Sequence, residues 1–206
     1  LNQPVMPKCS SLLNQPRLSN WRAATVKVDT HDQSSVTCDA EGLAGLLSAL
    51  FAKAGMPAAN ARLAAEIIVH ADRRGVRSHG CAQAPGYLDR LLRREMDPEA
   101  QPRVARDAGA VLCVDGGNGL GHLAVAYAME QAIGRAREQG VGVCAVGRSN
   151  HCGAMAYYSM QALQHGMIGI AMTNSMPTMA WIGGLDRILG INPIGEAIPP
   201  GEEAPI

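Results

Sequence analysis

Three short stretches of this sequence collect groups able to handle protons: Ser78-His79-Gly80, Ser149-Asn150-His151 and Thr173-Asn174-Ser175. An imidazole titrates near neutrality, which suits it to take a proton from a reacting hydroxyl or return it. Ser78 places a hydroxyl beside the His79 ring, where it can orient that ring or relay through it. Ahead of the pair stand Arg73, Arg74 and Arg77. All three read most simply as a solvated helix end; the alternative is that Arg77 faces the site and steers an anionic substrate. Cys152 follows His151, but neighbours in a chain seldom form the Cys–His hydrogen bond that thiol catalysis needs. At this point a hydrolase using Ser78 with His79, or Cys152, remains a rival to proton transfer.

These groups need elements to carry them. Asp39 can cap a helix in which Leu43, Leu46, Leu47, Leu50 and Phe51 recur at helical spacing, up to Gly55. A second helix is predicted over 57–74, with Pro57 in its first turn, arginines at its C-terminus and Gly75 as its stop. Ser78-His79-Gly80 then falls on a loop just past a helix end, with Gly80 as a flexible joint. A third short helix covers 87–94. Beyond a proline-containing connection the pattern alternates: strand 111–115, helix 121–138, strand 141–146, helix 154–165, strand 168–172 and a strand within 186–206. The class is α/β, and periodicity alone predicts parallel βαβ steps. His151 and Ser175 both follow strands, where open α/β sheets gather ligands.

The loop Asp-Gly-Gly-Asn-Gly-Leu-Gly at 115–121 invites a dinucleotide fingerprint, but counting from Gly117 the sixth place is His122. The next strand ends in Gly147-Arg148, without the carboxylate that would hold a ribose. A tight strand-to-helix turn is the better account. Ser149 or Asn150 reads as a helix cap, and His31, His70, His122 and His165 read as surface or satisfied core.

Eighteen basic residues balance eighteen acidic ones, so no net field draws the chain to nucleic acid or an anionic membrane. Aromatic residues make up 3% of the chain, too few for single-strand stacking platforms. The six cysteines show no zinc spacing and no C-x-x-C pair, so they read as reduced thiols of a cytoplasmic protein, with no metal site. There is no apolar leader of signal-peptide type and no run of membrane-span length. Residues 1–35 are polar and aperiodic and read as a disordered tail, 36–110 as a helical part, and 111–206 as an α/β part that ends without a closing element, as in a truncated chain.

Taken in order, R-G-V-R-S-H-G, D-G-G-N-G-L-G-H, S-N-H-C-G-A-M-A-Y-Y, T-N-S-M-P and G-G-L-D-R-I-L-G-I-N-P-I resemble the malate/L-lactate dehydrogenase family, which also holds ureidoglycolate and sulfolactate dehydrogenases and cyclic-ketimine reductases. The likeness spans residue 39 to the end. It implies a non-Rossmann fold with a mixed, largely antiparallel sheet flanked by helices, in an intertwined homodimer. It implies NAD or NADP as cofactor and a small 2-hydroxy or 2-oxo acid, or a cyclic imino acid, as substrate. Ser78, His79 and His151 then match the proton-transfer residues. His79, His151, Cys152, Gly153, Ala154, Met155, Asn174 and Ser175 match cofactor contacts. Gln83 stands where many relatives carry a carboxylate-clamping arginine, and Ile191 where many carry threonine; with Arg77 they are the candidate substrate residues. The chain ends short of the family's length, so a catalytically silent relative acting as a binding or dimerisation module is the alternative. The whole reading requires the imidazoles of His79 and His151 to meet at one site.

Overall fold

The computed structural model describes residues 25–29, 35–201 and 205–206, with the side chains of 25–29 and 35 left aside. Most of the stretch read as a tail, including His31, lies outside the described residues. Within it, β1 (Thr25–Asp29) pairs antiparallel with β2 (Ser35–Asp39), so ordered pairing begins before residue 36.

Asp39 ends β2 and opens α1 (Ala40–Lys53), its carboxylate accepting from the Gly42 N–H at 2.5 Å. The buried stripe of α1 is Ala40, Leu47 and Phe51; Leu46 and Leu50 stay exposed. Against it lies α2 (Ala58–Arg73), whose Ala61, Ala64 and Ala65 let the two helices approach closely, with Ile68 filling the seam. α2 runs directly into two successive 3₁₀ turns, Arg77–His79 and Cys81–Gln83, and then α3 (Ala84–Leu92). The Ser-His-Gly segment is therefore turn structure and not an open loop. α3 starts three residues earlier than the predicted helix because Pro85 fits a helix's first turn.

β3 (Arg103–Ala108) forms an antiparallel pair with β4 (Val111–Asp115), an element hidden from periodicity by its near-uniform polarity. From β4 the chain passes through α4 (Gly121–Gln139) to β5 (Val143–Gly147), which lies parallel to β4. This is the βαβ step that the alternation predicts. α4 stops at Gly140, which takes the left-handed conformation at φ 80°. α5 (Ala156–Gln161) continues as a 3₁₀ turn, Ala162–His165, so the predicted helix over 154–165 is shorter and changes type. β6 (Gly169–Met172) pairs antiparallel with β9 (Ile194–Ala197), and between them β7 (Met179–Ala180) and β8 (Arg187–Leu189) form a small hairpin. Among the described residues four strand pairs are antiparallel and one is parallel, the mixed arrangement that the resemblance implies and that parallel βαβ periodicity alone would miss.

Two apolar clusters result. One joins α1, α2 and α3 with Leu120 and Leu123 beside the start of α4; the other joins Ile67, Ala126, Cys152, Met155, Tyr158 and Ala171. Leu63 touches both. Tyr87 belongs to the first and the loop after β5 to the second, so the seam between them brings the 77–87 region against residues 150–155.

Candidate active site

His79 sits at the end of the first 3₁₀ turn, and its Nδ1 lies 2.9 Å from the Ser78 hydroxyl. Gln83, at the end of the second turn, donates from Nε2 to the Ser78 carbonyl at 2.8 Å. The amide standing at the arginine position is thus engaged in bracing the turn. Arg77 opens that turn and is half-buried.

His151 comes from the loop after β5. Its ring centroid is 5.7 Å from that of His79 with the planes 31° apart, so two histidines 72 positions apart in the chain share one site. Tyr87, a residue the motif reading overlooks, puts its hydroxyl 2.6 Å from His151 Nδ1 and stacks on the same ring at 5.9 Å. Burial pushes the Tyr87 phenol well above its ordinary range, so it stays protonated as a hydrogen-bonding partner. Burial also lowers His151 below its ordinary 6.5, helped by His79 and Arg90.

Asn150 is fully engaged. Arg90 donates to its Oδ1 at 2.7 Å, while its Nδ2 donates to the Gly119 carbonyl at 2.9 Å and to the Asn118 carbonyl at 3.2 Å. Neither Ser149 nor Asn150 caps α5, which begins only at Ala156. Asn150 instead ties α3, the glycine loop and the His151 loop together, a role visible only once those three segments are adjacent. The glycine loop has a matching purpose. A Cβ on Gly121 would lie 2.0 Å from the Asn150 carbonyl oxygen, so only glycine lets α4 start against the backbone that carries His151.

Downstream, Cys152, Gly153 and Met155 face inward, leaving the side chains of His151 and Ala154 more open. The Tyr158 hydroxyl donates to the Cys152 carbonyl, and burial raises the Cys152 thiol above its usual range. A thiol held protonated in this way is a poor nucleophile. Ala171 of β6 packs in the same apolar cluster as Cys152, which brings the end of β6 to this loop. Asn174 is exposed, but Ser175 is engaged: its Oγ accepts from the Ile191 N–H at 2.8 Å, and its own N–H donates to Asn192 Oδ1 at 2.8 Å. Ile191 therefore takes part through its backbone, with its side chain exposed.

Gln83, just before α3, and Tyr87 and Arg90 within it recur at spacings of four and three, and the last two meet His151 and Asn150. His122 corrects another expectation: it is fully buried, and among the described residues its ring nitrogens have no hydrogen-bond partner. His70 packs edge-on to Tyr157, and His165 Nδ1 lies 2.6 Å from Arg137. Among the described residues no group of His, Cys, Asp or Glu is placed to hold a metal ion, five cysteines are free thiols, and no helix is long and apolar enough to cross a membrane.

Burial holds His70 at about 4 and His122 at about 3, with nearby arginines and histidines adding to the respective effects. Unfolding restores each ring to about 6.5, so protonation favours the unfolded chain below that pH. Stability from His70 is complete above pH 6.5 and is lost as pH falls toward 4, on the order of 2–3 kcal/mol allowing for its partial exposure. Urea midpoints measured across this window should fall less steeply in His70→Gln; equal slopes in both chains would contradict the assignment.

A family model described as Malate/L-lactate dehydrogenase matches residues 38–206. Malate dehydrogenase of Pyrococcus abyssi is 37% identical over 168 residues, covering 82% of this chain and 46% of that protein. NAD(+)-dependent ureidoglycolate dehydrogenase of Escherichia coli K12 is 34% identical over 161 residues, covering 77% of this chain and 46% of that protein. The solved malate dehydrogenase of Pyrococcus horikoshii OT3 superposes with a TM-score of 0.77 at 34% identity, over 89% of this chain and 50% of that one. The chain thus spans about half the length of the curated relatives it matches. With the motifs in one order, the fold in common and the match running through both imidazoles, the chain belongs to the malate/L-lactate dehydrogenase family.

Proposed function

We propose that the chain carries the proton-transfer half-site of an NAD(P)-dependent oxidoreductase acting on a small 2-hydroxy acid or its 2-oxo counterpart. The observation that carries this is the meeting of His79 and His151 at 5.7 Å, with Ser78 on one ring and Tyr87 on the other. Oxidising such an acid removes a hydride from C2 and a proton from the hydroxyl. The nicotinamide, when bound, supplies the hydride chemistry. His151 takes the hydroxyl proton, Tyr87 fixes its ring, and Ser78 orients His79, which shares the site and relays the proton. In the reverse direction the same ring returns the proton.

The donor set suits a pyridine nucleotide. His79 and His151 present polar ring edges, and Asn174 offers an exposed amide. Cys152, Gly153 and Met155 shape the loop from the inside, leaving its backbone and the Ala154 methyl for the ligand. Ser175 holds the facing turn through Ile191 and Asn192. Gln83 is an uncharged group where a charged clamp would otherwise sit, which favours a weakly held carboxylate, with Arg77 as its steering charge.

Titrating the purified chain with NADH and with NADPH, followed by nicotinamide fluorescence, tests the reading. Saturable binding by one or both is expected. A folded chain that binds neither would overturn it in favour of a silent relative. The proposed full assembly is a homodimer in the cytoplasm, without a nucleic-acid or membrane partner.

A further inference from the structure

His122 is buried completely, yet among the described residues neither ring nitrogen has a hydrogen-bond partner. An aliphatic side chain would fill the same space without leaving polar atoms unpaired. The ring meets Tyr87 edge-on, with centroids 5.1 Å apart and planes at 76°. Tyr87 in turn reaches His151 Nδ1 at 2.6 Å. The loop that bears His151 is also folded over His122: a Cβ on Gly153 would stand 2.8 Å from His122 Nε2. One ring therefore touches both the phenol that holds His151 and the loop that carries it.

An edge-to-face contact fixes the rotation of an aromatic ring in a way that a contact with a rounded aliphatic side chain does not. The charged and titratable groups around the cluster are His79 from the 3₁₀ turn, Tyr87 and Arg90 from α3, His122 from α4, and Cys152 beside His151. Burial, with His151 and His79 close by, keeps the His122 ring neutral throughout the working range, so it adds shape without adding charge.

We propose that His122 is a positioning residue for His151: its ring, sealed beneath Tyr87 and Gly153, keeps the phenol in line with Nδ1 and so holds His151 in one tautomer. For Nε2 to exchange the substrate proton, Nδ1–H must donate to the Tyr87 oxygen, one of the two directions that the 2.6 Å contact allows. The inference rests on His151 being the proton-transfer group, but its test needs no cofactor and no turnover.

In the ¹⁵N-histidine-labelled chain without ligand, the ring-nitrogen shifts of His151 report the tautomer directly. The unaltered chain should show Nδ1–H in clear excess. In His122→Leu the ratio of the two tautomers should fall about threefold or more, because the ring that aligns Tyr87 is gone. Tyr87→Phe, which removes the partner itself, should give at least the same fall. A folded His122→Leu chain with the original tautomer ratio would overturn the proposal, since filling space alone would then suffice. Should His122→Leu not fold, His122→Gln decides by the same criterion. A chain that binds no NADH but shows the tautomer change keeps this inference and loses the functional reading; the opposite pair of results does the reverse.

Discussion

On the proposed function, replacing His151 by alanine is expected to lower the rate of 2-hydroxy-acid oxidation about 100- to 10,000-fold, the usual contribution of a positioned general base. The loss should fall on kcat, because a general base acts on the proton in flight and little on ground-state binding. The pH dependence follows from the ring's environment. Burial, His79 and Arg90 hold His151 below its ordinary 6.5, so the neutral base predominates above that pH. Oxidation should rise with pH and level off, with its half-maximum below 6.5, whereas reduction needs the imidazolium and should fall through the same range. Steady-state rates in both directions, at several pH values, check this. A loss of less than about tenfold, or a pH limb that survives in His151→Ala, would assign the proton to another group.

Gly80→Ala should be the most damaging small substitution on the helical side. A Cβ there would stand 1.9 Å from Asp72 Oδ1, inside the van der Waals contact of any pair of atoms. Asp72 is buried, and its Oδ2 accepts from the Cys81 N–H at 2.8 Å. Either the carboxylate swings away from that N–H or the two 3₁₀ turns shift. Overpacking and a lost charged hydrogen bond together cost about 3–5 kcal/mol. That is a large share of the 5–15 kcal/mol by which domains of this size are usually stable, roughly speaking. Urea denaturation measures the loss, and the His79 ring signals should move with it. A change under about 1 kcal/mol would mean that the Asp72 pocket is slack. Gly80 is thus required by the nearness of a carboxylate, and the flexible-joint expectation gives way to a rigid contact.

Much of this site was legible from residue order. Ser78-His79 and Asn150-His151 stood out because polar, titratable groups followed the ends of apolar periodic segments. The failed dinucleotide spacing at 115–121 also pointed correctly away from a Rossmann turn, and the crowding of Gly121 against Asn150 supplies the reason for its glycine. Tyr87 and Arg90 escaped notice because an aromatic and a basic residue on a short helix look the same whether they face solvent or a partner. Their stripe with Gln83 becomes informative only when another segment lies along it. His122 reads from the sequence as surface or satisfied core, since one-dimensional order does not count hydrogen-bond partners.

By itself the sequence determined local matters: where α1, α2 and α4 begin and end, and which family the ordered motifs resemble. Those depend on periodicity, caps and glycine stops within a few residues of one another. Only the tertiary structure decided that His79 and His151 share a site, and that Asn150 joins three segments instead of capping one. These depend on contacts between residues tens of positions apart, where close packing and hydrogen-bond satisfaction select among arrangements that the local pattern leaves equally acceptable.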